Sequence, residues 1–428
     1  MLAIRNWTSS PLKALRRKAW PLPSATAPRL DSSQLVEEEN TPYYNISRFY
    51  PARLGEVLNN RYQIATKLGY GVTSTVWLAR DLYQWRWSEE RYVAIKILAR
   101  SRPRLHQRAT EGELNILRHI SKRRSRHEGW HFVRKLLGSF TLQTASGDHT
   151  CLVFELLREP LWIYRQRWQG DVIPPELLKI MLQMILQGLS YLQSECHIIH
   201  TDLKPDNIMV KIENKSIVEQ NVLDEFHNPF PQKHLNDGRI IYMSRNDLGP
   251  PVGTTGLVTI ADFDLAVRGD EPNSGFIQAQ ALRAPEVIVD AGYSYSADIW
   301  NLGVMLWDVL EGKALFEAAA PRVDRKYEDG KHLAYITALL GPPPQELLKK
   351  GRRTQKFYDA AGDLKGIDIP TNFSFETTLT NVKGEEKKMF IAFVKRMLKW
   401  KPEERSAAEE LLGDPWLYTD FDNTDPAI

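Results

Sequence analysis

The chain has 428 residues, 43% of them hydrophobic and 25% charged, with a net charge of +3 at neutral pH. That is enough apolar chain to bury a sizeable core, which excludes wholesale disorder, and too small a charge to argue for nucleic-acid or membrane binding by itself. The two cysteines, Cys151 and Cys196, sit among apolar neighbours, which excludes a disulfide framework and points to a reducing compartment.

The first 30 residues carry Arg5, Lys13, Arg16, Arg17, Lys18 and Arg29 and no acid before Asp31. Leu12, Leu15, Ala19 and Trp20 fit one side of a short helix, while Pro21, Pro23 and Pro28 break it. Residues 1–40 therefore read either as a basic tail or as a mitochondrial transit peptide. Strand-like runs follow at 61–68, 75–79, 92–98 and 151–157. Between the first two lies Leu68-Gly69-Tyr70-Gly71-Val72-Thr73-Ser74-Thr75-Val76. Glycines let a backbone approach phosphate oxygens closely, but alone this segment is an ordinary hairpin turn. A strand rather than a helix comes next, so a dinucleotide-binding reading fails.

Val93-Ala94-Ile95-Lys96 places a lysine in an apolar strand. A cation there needs an anionic partner, because burying it alone is costly. Phosphates and Glu113, on the next expected helix, are the candidates. From Pro175 to Leu192 the pattern turns helical and apolar on nearly every side, as a buried helix requires. His200-Thr201-Asp202-Leu203-Lys204-Pro205-Asp206-Asn207 follows it. Asp202 can orient a substrate hydroxyl or take its proton, Lys204 can neutralise a transferred phosphoryl group, and Asn207 can hold a metal ion. Residues 213–256, rich in Asn, Asp, Pro and Gly without clear period, read as a loop. Asp262 in Ala-Asp-Phe-Asp264 supplies a second metal ligand, and Ala284-Pro285-Glu286 closes the segment, with Arg405 as a partner for Glu286. A second buried helix is expected over 297–310. Strands first and helices after imply an α+β architecture.

In this order the motifs resemble the eukaryotic protein kinase superfamily from about Tyr43 to Leu417. The resemblance implies a two-lobed fold, with a small β-rich N-lobe over 41–157, a larger helical C-lobe over 158–417 and a C-terminal tail over 418–428. It implies ATP and Mg2+ as cofactors. Residues 68–76, Ala94, Lys96, Phe154 as gatekeeper, Glu155 and Leu157 would hold the nucleotide. Asp202, Lys204, Lys96 and Glu113 would be catalytic, and Asn207 and Asp262 would bind metal. Leu117, Leu136, His200 and Phe263 match the apolar spine of active members.

Within the superfamily, Lys67-Leu-Gly-Tyr-Gly71, Ser74-Thr-Val-Trp-Leu78, His200-Thr-Asp-Leu-Lys-Pro205, Ala291-Gly-Tyr293 and Ala297-Asp-Ile-Trp300 resemble the SR-protein kinases. That likeness implies a Ser/Thr kinase acting on Arg/Ser-rich splicing factors in mRNA processing. It further implies a cytoplasmic or nuclear monomer without direct nucleic-acid or membrane binding, or a mitochondrial one if residues 1–40 are a transit peptide. Thr201 stands where regulated kinases carry an arginine that binds a phosphorylated activation loop. Ser274 is the only hydroxyl from Asp262 to Glu286. Activity without activation-loop phosphorylation is therefore expected.

Four features depart from the pattern. Asp264 replaces the glycine after the metal aspartate, which raises the alternative of a catalytically weak pseudokinase or scaffold. The long insert of the subfamily is reduced here to about 213–256. The docking region, Ala318 to Leu340, offers Asp324, Glu328 and Asp329 beside Arg322, Arg325, Lys326 and Lys331. The segment Gln278-Ala-Gln-Ala-Leu282, expected to face substrate, lacks the arginine and tyrosine of the subfamily. A small-molecule kinase on the same fold is the remaining alternative.

Overall fold

The computed structural model describes residues 15–21, 25–42, 44–100, 107–123, 125–249, 256–319 and 327–421, with side chains omitted for 107–111. Arg5, Leu12 and Lys13 of the basic segment, Arg322, Asp324, Arg325 and Lys326 of the docking region, and residues 422–428 of the tail lie outside them. The chain forms two compact units. The first takes the described residues of Met1–Thr110, Lys135–Arg158 and Ile212–Gly253; the second takes Glu111–Arg134, Glu159–Lys211 and Thr254–Ile428.

The first unit is built on a six-stranded antiparallel sheet. Its strands are β1 (Val57–Leu58), β2 (Tyr62–Tyr70), β3 (Ser74–Asp81), β4 (Tyr92–Leu98), β5 (Leu136–Thr144) and β6 (Gly147–Glu155), in the order β1-β2-β3-β4-β6-β5. Alternation along β3 sends its side chains to two apolar clusters. Trp77 and Ala79 join Ile64, Val93, Ile95 and Val153 in one. Leu78 joins Val218 and Val222 in the other.

Those last two residues correct the expectation of a structureless loop over 213–256. Lys215–His227 is an α-helix, and Gln232–His234 pairs antiparallel with Ile240–Tyr242. The helix supplies Val218 and Val222 to one cluster, and Tyr242 meets Trp77 edge-on in the other, ring centroids 5.6 Å apart. The expected division placed this stretch in the helical lobe; it packs with the sheet because it covers apolar side chains on both faces of β3. Two weak periods, a 13-residue helix and 3-residue strands, hid it from the sequence.

The described residues of 15–40 likewise pack on this unit. Arg17 forms an ion pair with Glu90 at 2.8 Å, and the Trp20 backbone N–H donates to Gln63 Oε1 at 2.9 Å. The guanidinium of Arg80 lies 3.7 Å over the Trp20 ring. The boundary expected at residue 40 thus falls inside a segment that packs on the strands.

The second unit is mostly helical. Pro175–Tyr191 has proline at its first turn, where a missing N–H costs nothing, and buries Leu178, Met181, Leu182, Ile185 and Leu189. Ser296–Leu310 is buried around nearly its whole circumference. Short antiparallel pairs, Ile208–Val210 with Val258–Ile260 and Ile198–Ile199 with Val267–Arg268, carry the loops on which the expected catalytic residues stand. No helix among the described residues is long and apolar enough to cross a membrane.

Candidate active site

The expected residues fall into two sets, one per unit. In the first unit β2 and β3 form the hairpin of the glycine loop, pairing Gly69 with Val76 and Tyr70 with Thr75. The Gly71 N–H donates to the Ser74 carbonyl at 2.8 Å and closes the turn. A Cβ added at Gly69 would meet nothing within 4 Å, and at Gly71 only Ser74 Oγ at 3.8 Å. The glycines therefore leave open space over the backbone, as a phosphate cradle needs. Tyr70 and Val72 are exposed, whereas Ser74 and Thr75 are buried and Thr75 Oγ1 accepts from Trp77 Nε1 at 2.9 Å. Ser74, in place of the third glycine, is thus the first residue of a packed strand. Lys96 on β4 pairs in register with Val76 of β3 and Leu152 of β6; Ala94 pairs with Phe154. Ala94, Phe154 and Leu157 are buried, and Glu155 ends β6 exposed.

In the second unit the loop after Ile199 converges on Asp202. Lys204 Nζ lies 2.7 Å from Asp202 Oδ2. Asn207 Nδ2 donates to the Asp202 carbonyl at 2.8 Å and to Asp202 Oδ2 at 3.1 Å. With its amide nitrogen so occupied, Asn207 keeps its Oδ1 for a hard cation. Burial alone would lower the Lys204 pKa, but the charges of Asp202, Asp206 and Asp262 outweigh it and hold the ammonium above its ordinary value. Glu113, in the helix Gln107–Lys122, is buried in this unit.

A carboxylate from the buried helix fixes this loop. Asp298 accepts the N–H of His200 at 2.7 Å and of Thr201 at 2.9 Å. Burial pushes the Asp298 carboxyl up, against the pull of His200 and of the two N–H donors. Thr201 is held at φ 67°, a conformation a β-branched residue rarely adopts. Its hydroxyl donates to the Leu265 carbonyl at 2.8 Å. His200 Nε2 is 2.9 Å from the Ala261 carbonyl, and its ring meets Phe263 edge-on at 5.1 Å. The loop of Asp202 and the segment after Asp262 are thereby joined at two points. The sequence carried a signal for Asp298 only through its family match, and none for the Thr201–Leu265 bond.

Asp262 is in the left-handed region at φ 62°, and Asp264 is not. Glycine's special freedom at position 264 is therefore unused, and aspartate there imposes no backbone strain of that kind. Among the described residues no three His, Cys, Asp or Glu side chains cluster as metal ligands. Asn207 and Asp262 instead suit a cation that takes its other ligands from phosphate and water, as Mg2+ does.

Glu286 and Arg405 meet as expected. Their two parallel bonds are 2.7 and 2.6 Å, with both side chains fully buried. Gln278, read from the sequence as facing substrate, is instead buried at φ 70°: its amide donates to the Ala297 carbonyl at 3.0 Å and accepts the Ala284 N–H at 2.8 Å. In the docking region Asp329 is bound by Arg353 at 2.7 Å and Arg283 at 3.3 Å, and Glu328 by Lys331 at 2.7 Å.

Residues 62–417 match the protein kinase domain family. A serine/threonine protein kinase of Aspergillus fumigatus is 38% identical over 393 residues, 91% of this chain and 93% of the relative. The serine/threonine-protein kinase SRPK of Physarum polycephalum is 31% identical over 408 residues, 90% of this chain and 93% of its own length. Human SRSF protein kinase 3 is 24% identical over 542 residues, 93% of each. The crystal structure of one kinase domain superposes with a TM-score of 0.64 at 23% identity, covering 87% of this chain and all of that one, which speaks to the fold alone.

Proposed function

This chain belongs to the protein kinase family and is a serine/threonine protein kinase, and from that premise we propose how its residues divide the work of transfer. The first unit holds ATP: the backbone of 68–76 lies along the phosphates, Lys96 pairs with them, and Ala94, Phe154, Glu155 and Leu157 receive the base. Asp202 accepts a hydrogen bond from the substrate hydroxyl and takes its proton as the oxygen attacks the γ-phosphorus. The bond from that phosphorus to the bridging oxygen breaks, and ADP leaves. Lys204 offsets charge on the moving phosphoryl group. Bound Mg2+ supplies charge neutralisation at the phosphates, and Asn207 and Asp262 are the residues to hold it. Positioning and electrostatics account for most of such a rate enhancement.

The observation that carries this reading is the cluster of Asp202, Lys204 and Asn207 within hydrogen-bond reach, on a loop clamped by Asp298. The test is phosphate transfer from labelled ATP with magnesium, using the full chain. Asp202→Asn should lower kcat by about 10²–10⁴-fold with nucleotide binding retained. Equal turnover by the variant would remove Asp202 from its role.

The substrate proposed is a protein serine in an Arg/Ser-containing sequence, supported by the subfamily motifs and by the relative named for SRSF proteins. Asp329 and Glu328 are already taken by cations of this chain, so arginine recognition at that region is weaker than a set of uncommitted acids would give. Transfer to an Arg/Ser-repeat peptide is to be compared with transfer to a generic basic protein. A preference for the generic protein would discard the Arg/Ser substrate and keep the kinase.

A further inference from the structure

Lys67 lies on β2 next to Leu68 and Gly69, yet its ammonium is fully buried. A cation so placed must be paired. Its partners come from two distant stretches of the same unit. Glu38 Oε2 is in direct contact, Glu37 Oε2 is at 3.3 Å, and the Tyr242 carbonyl accepts at 2.9 Å. The Lys67 carbonyl is held as well, by the Arg245 N–H at 2.8 Å. The residue leading into the glycine loop is thus gripped by side chain and backbone together.

Both gripping stretches are themselves anchored. Glu37 accepts from the Ser244 N–H at 3.1 Å and from its hydroxyl at 2.6 Å. Glu39 binds Lys233 at 2.7 Å, and Lys233 also donates to the Gln34 carbonyl at 2.8 Å. Arg245 pairs with Glu225 at 2.7 Å and lies 3.8 Å over the Phe230 ring. Glu37 sits at φ 52°, a conformation that costs a non-glycine residue free energy and persists only when its surroundings fix it.

We propose that Glu37 and Glu38 are positioning residues for the nucleotide site: through Lys67 they brace the glycine loop. The Glu37-Glu38-Glu39 turn and the Gln232–Tyr242 hairpin together hold the start of the loop at a set height, so that its backbone need not be ordered when ATP arrives. This rests on the reading of 68–76 as the phosphate cradle. A preorganised loop improves binding by reducing the entropy lost on ordering. The segment 34–39 therefore belongs to the functional kinase.

Full-chain Glu37→Gln/Glu38→Gln tests it in two ways. In nucleotide-free protein, hydrogen exchange at the amides of 69–76 should accelerate, while exchange in the helix Pro175–Tyr191 stays as in wild type. In turnover, KM for ATP should rise by about 5–20-fold with kcat within twofold, the signature of lost binding rather than lost chemistry. If the uncompensated Lys67 prevents folding, Lys67→Met/Glu38→Leu removes both charges and should give the same two results. Wild-type exchange at 69–76 in a folded variant, or a wild-type KM, overturns the proposal. Absence of ATP binding by wild type overturns the functional reading instead, and the exchange result still judges the brace.

Discussion

Asp298 accepts the N–H groups of His200 and Thr201 through separate carboxylate oxygens, across 98 and 97 residues of sequence. The carboxylate is buried and the two donors have consecutive positions, so the loop that carries Asp202 cannot shift without losing both bonds. Asp298→Asn keeps one acceptor and turns an amide nitrogen toward a backbone N–H. The expected cost is about 2–3 kcal/mol of stability, from one unsatisfied buried donor. A fall in kcat of at least tenfold, roughly the scale of a displaced catalytic group, should accompany it. Chemical denaturation and steady-state kinetics on one preparation check the two together.

The Thr201 hydroxyl on the Leu265 carbonyl is a neutral tie between catalytic loop and activation segment. It needs no phosphate, unlike an arginine at that position. Phosphatase treatment and Ser274→Ala should each leave activity within about twofold, since Ser274 is exposed and no phosphate is needed to hold the segment. Thr201→Val should cost about 1 kcal/mol of stability from the lost hydrogen bond and lower kcat. Loss of all activity on phosphatase treatment would contradict the neutral tie.

Glu286 and Arg405 form a buried bidentate pair, and Arg405 also donates to the Ser296 carbonyl at 3.0 Å. Removing one partner strands a buried charge. Arg405→Ala should lose about 3–5 kcal/mol in urea unfolding. The apolar double replacement Glu286→Leu/Arg405→Met should recover much of that loss, because neither charge then needs desolvating. A double variant no more stable than the single one would count against this account.

His332 is fully buried, with the Phe316 ring 4.6 Å away and the Tyr327 hydroxyl 3.0 Å from Nδ1. Burial, aided by the nearby Arg283 charge, pushes its pKa down to about 3, while Asp329 works the other way. The folded pKa lies below the unfolded one, so the unfolded chain binds the proton more readily. The stability that neutral His332 preserves is complete above pH about 6.5 and is lost as pH falls toward about 3, by up to about 5 kcal/mol. Thermal unfolding of His332→Gln should show a shallower decline than wild type between pH 6.5 and 4.5.

The residues proposed for the chemistry stand out in the sequence because each motif is local. A glycine pair between two strand runs, a lysine in an apolar strand, and Asp202, Lys204 and Asn207 within six residues declare themselves by spacing. The strands and the two buried helices were legible for the same reason: a period of 2 or 3.6 is written in neighbouring residues. The ends of β2 and β4 and of the helix Pro175–Tyr191 lie within a residue or two of those expected. Weakly periodic stretches were not legible, and the helix Lys215–His227 was read as loop.

The sequence by itself determined the family and the reaction, and it supplied the side chains proposed for it. Tertiary structure alone decided how they are held: Asp298 under His200 and Thr201, Thr201 on Leu265, Gln278 turned inward, and Glu38 on Lys67. Each of these joins residues separated by at least 19 positions, and most by far more. Hydrogen-bond partners at such separations are chosen by how chain segments pack, and no spacing rule in the sequence records that choice.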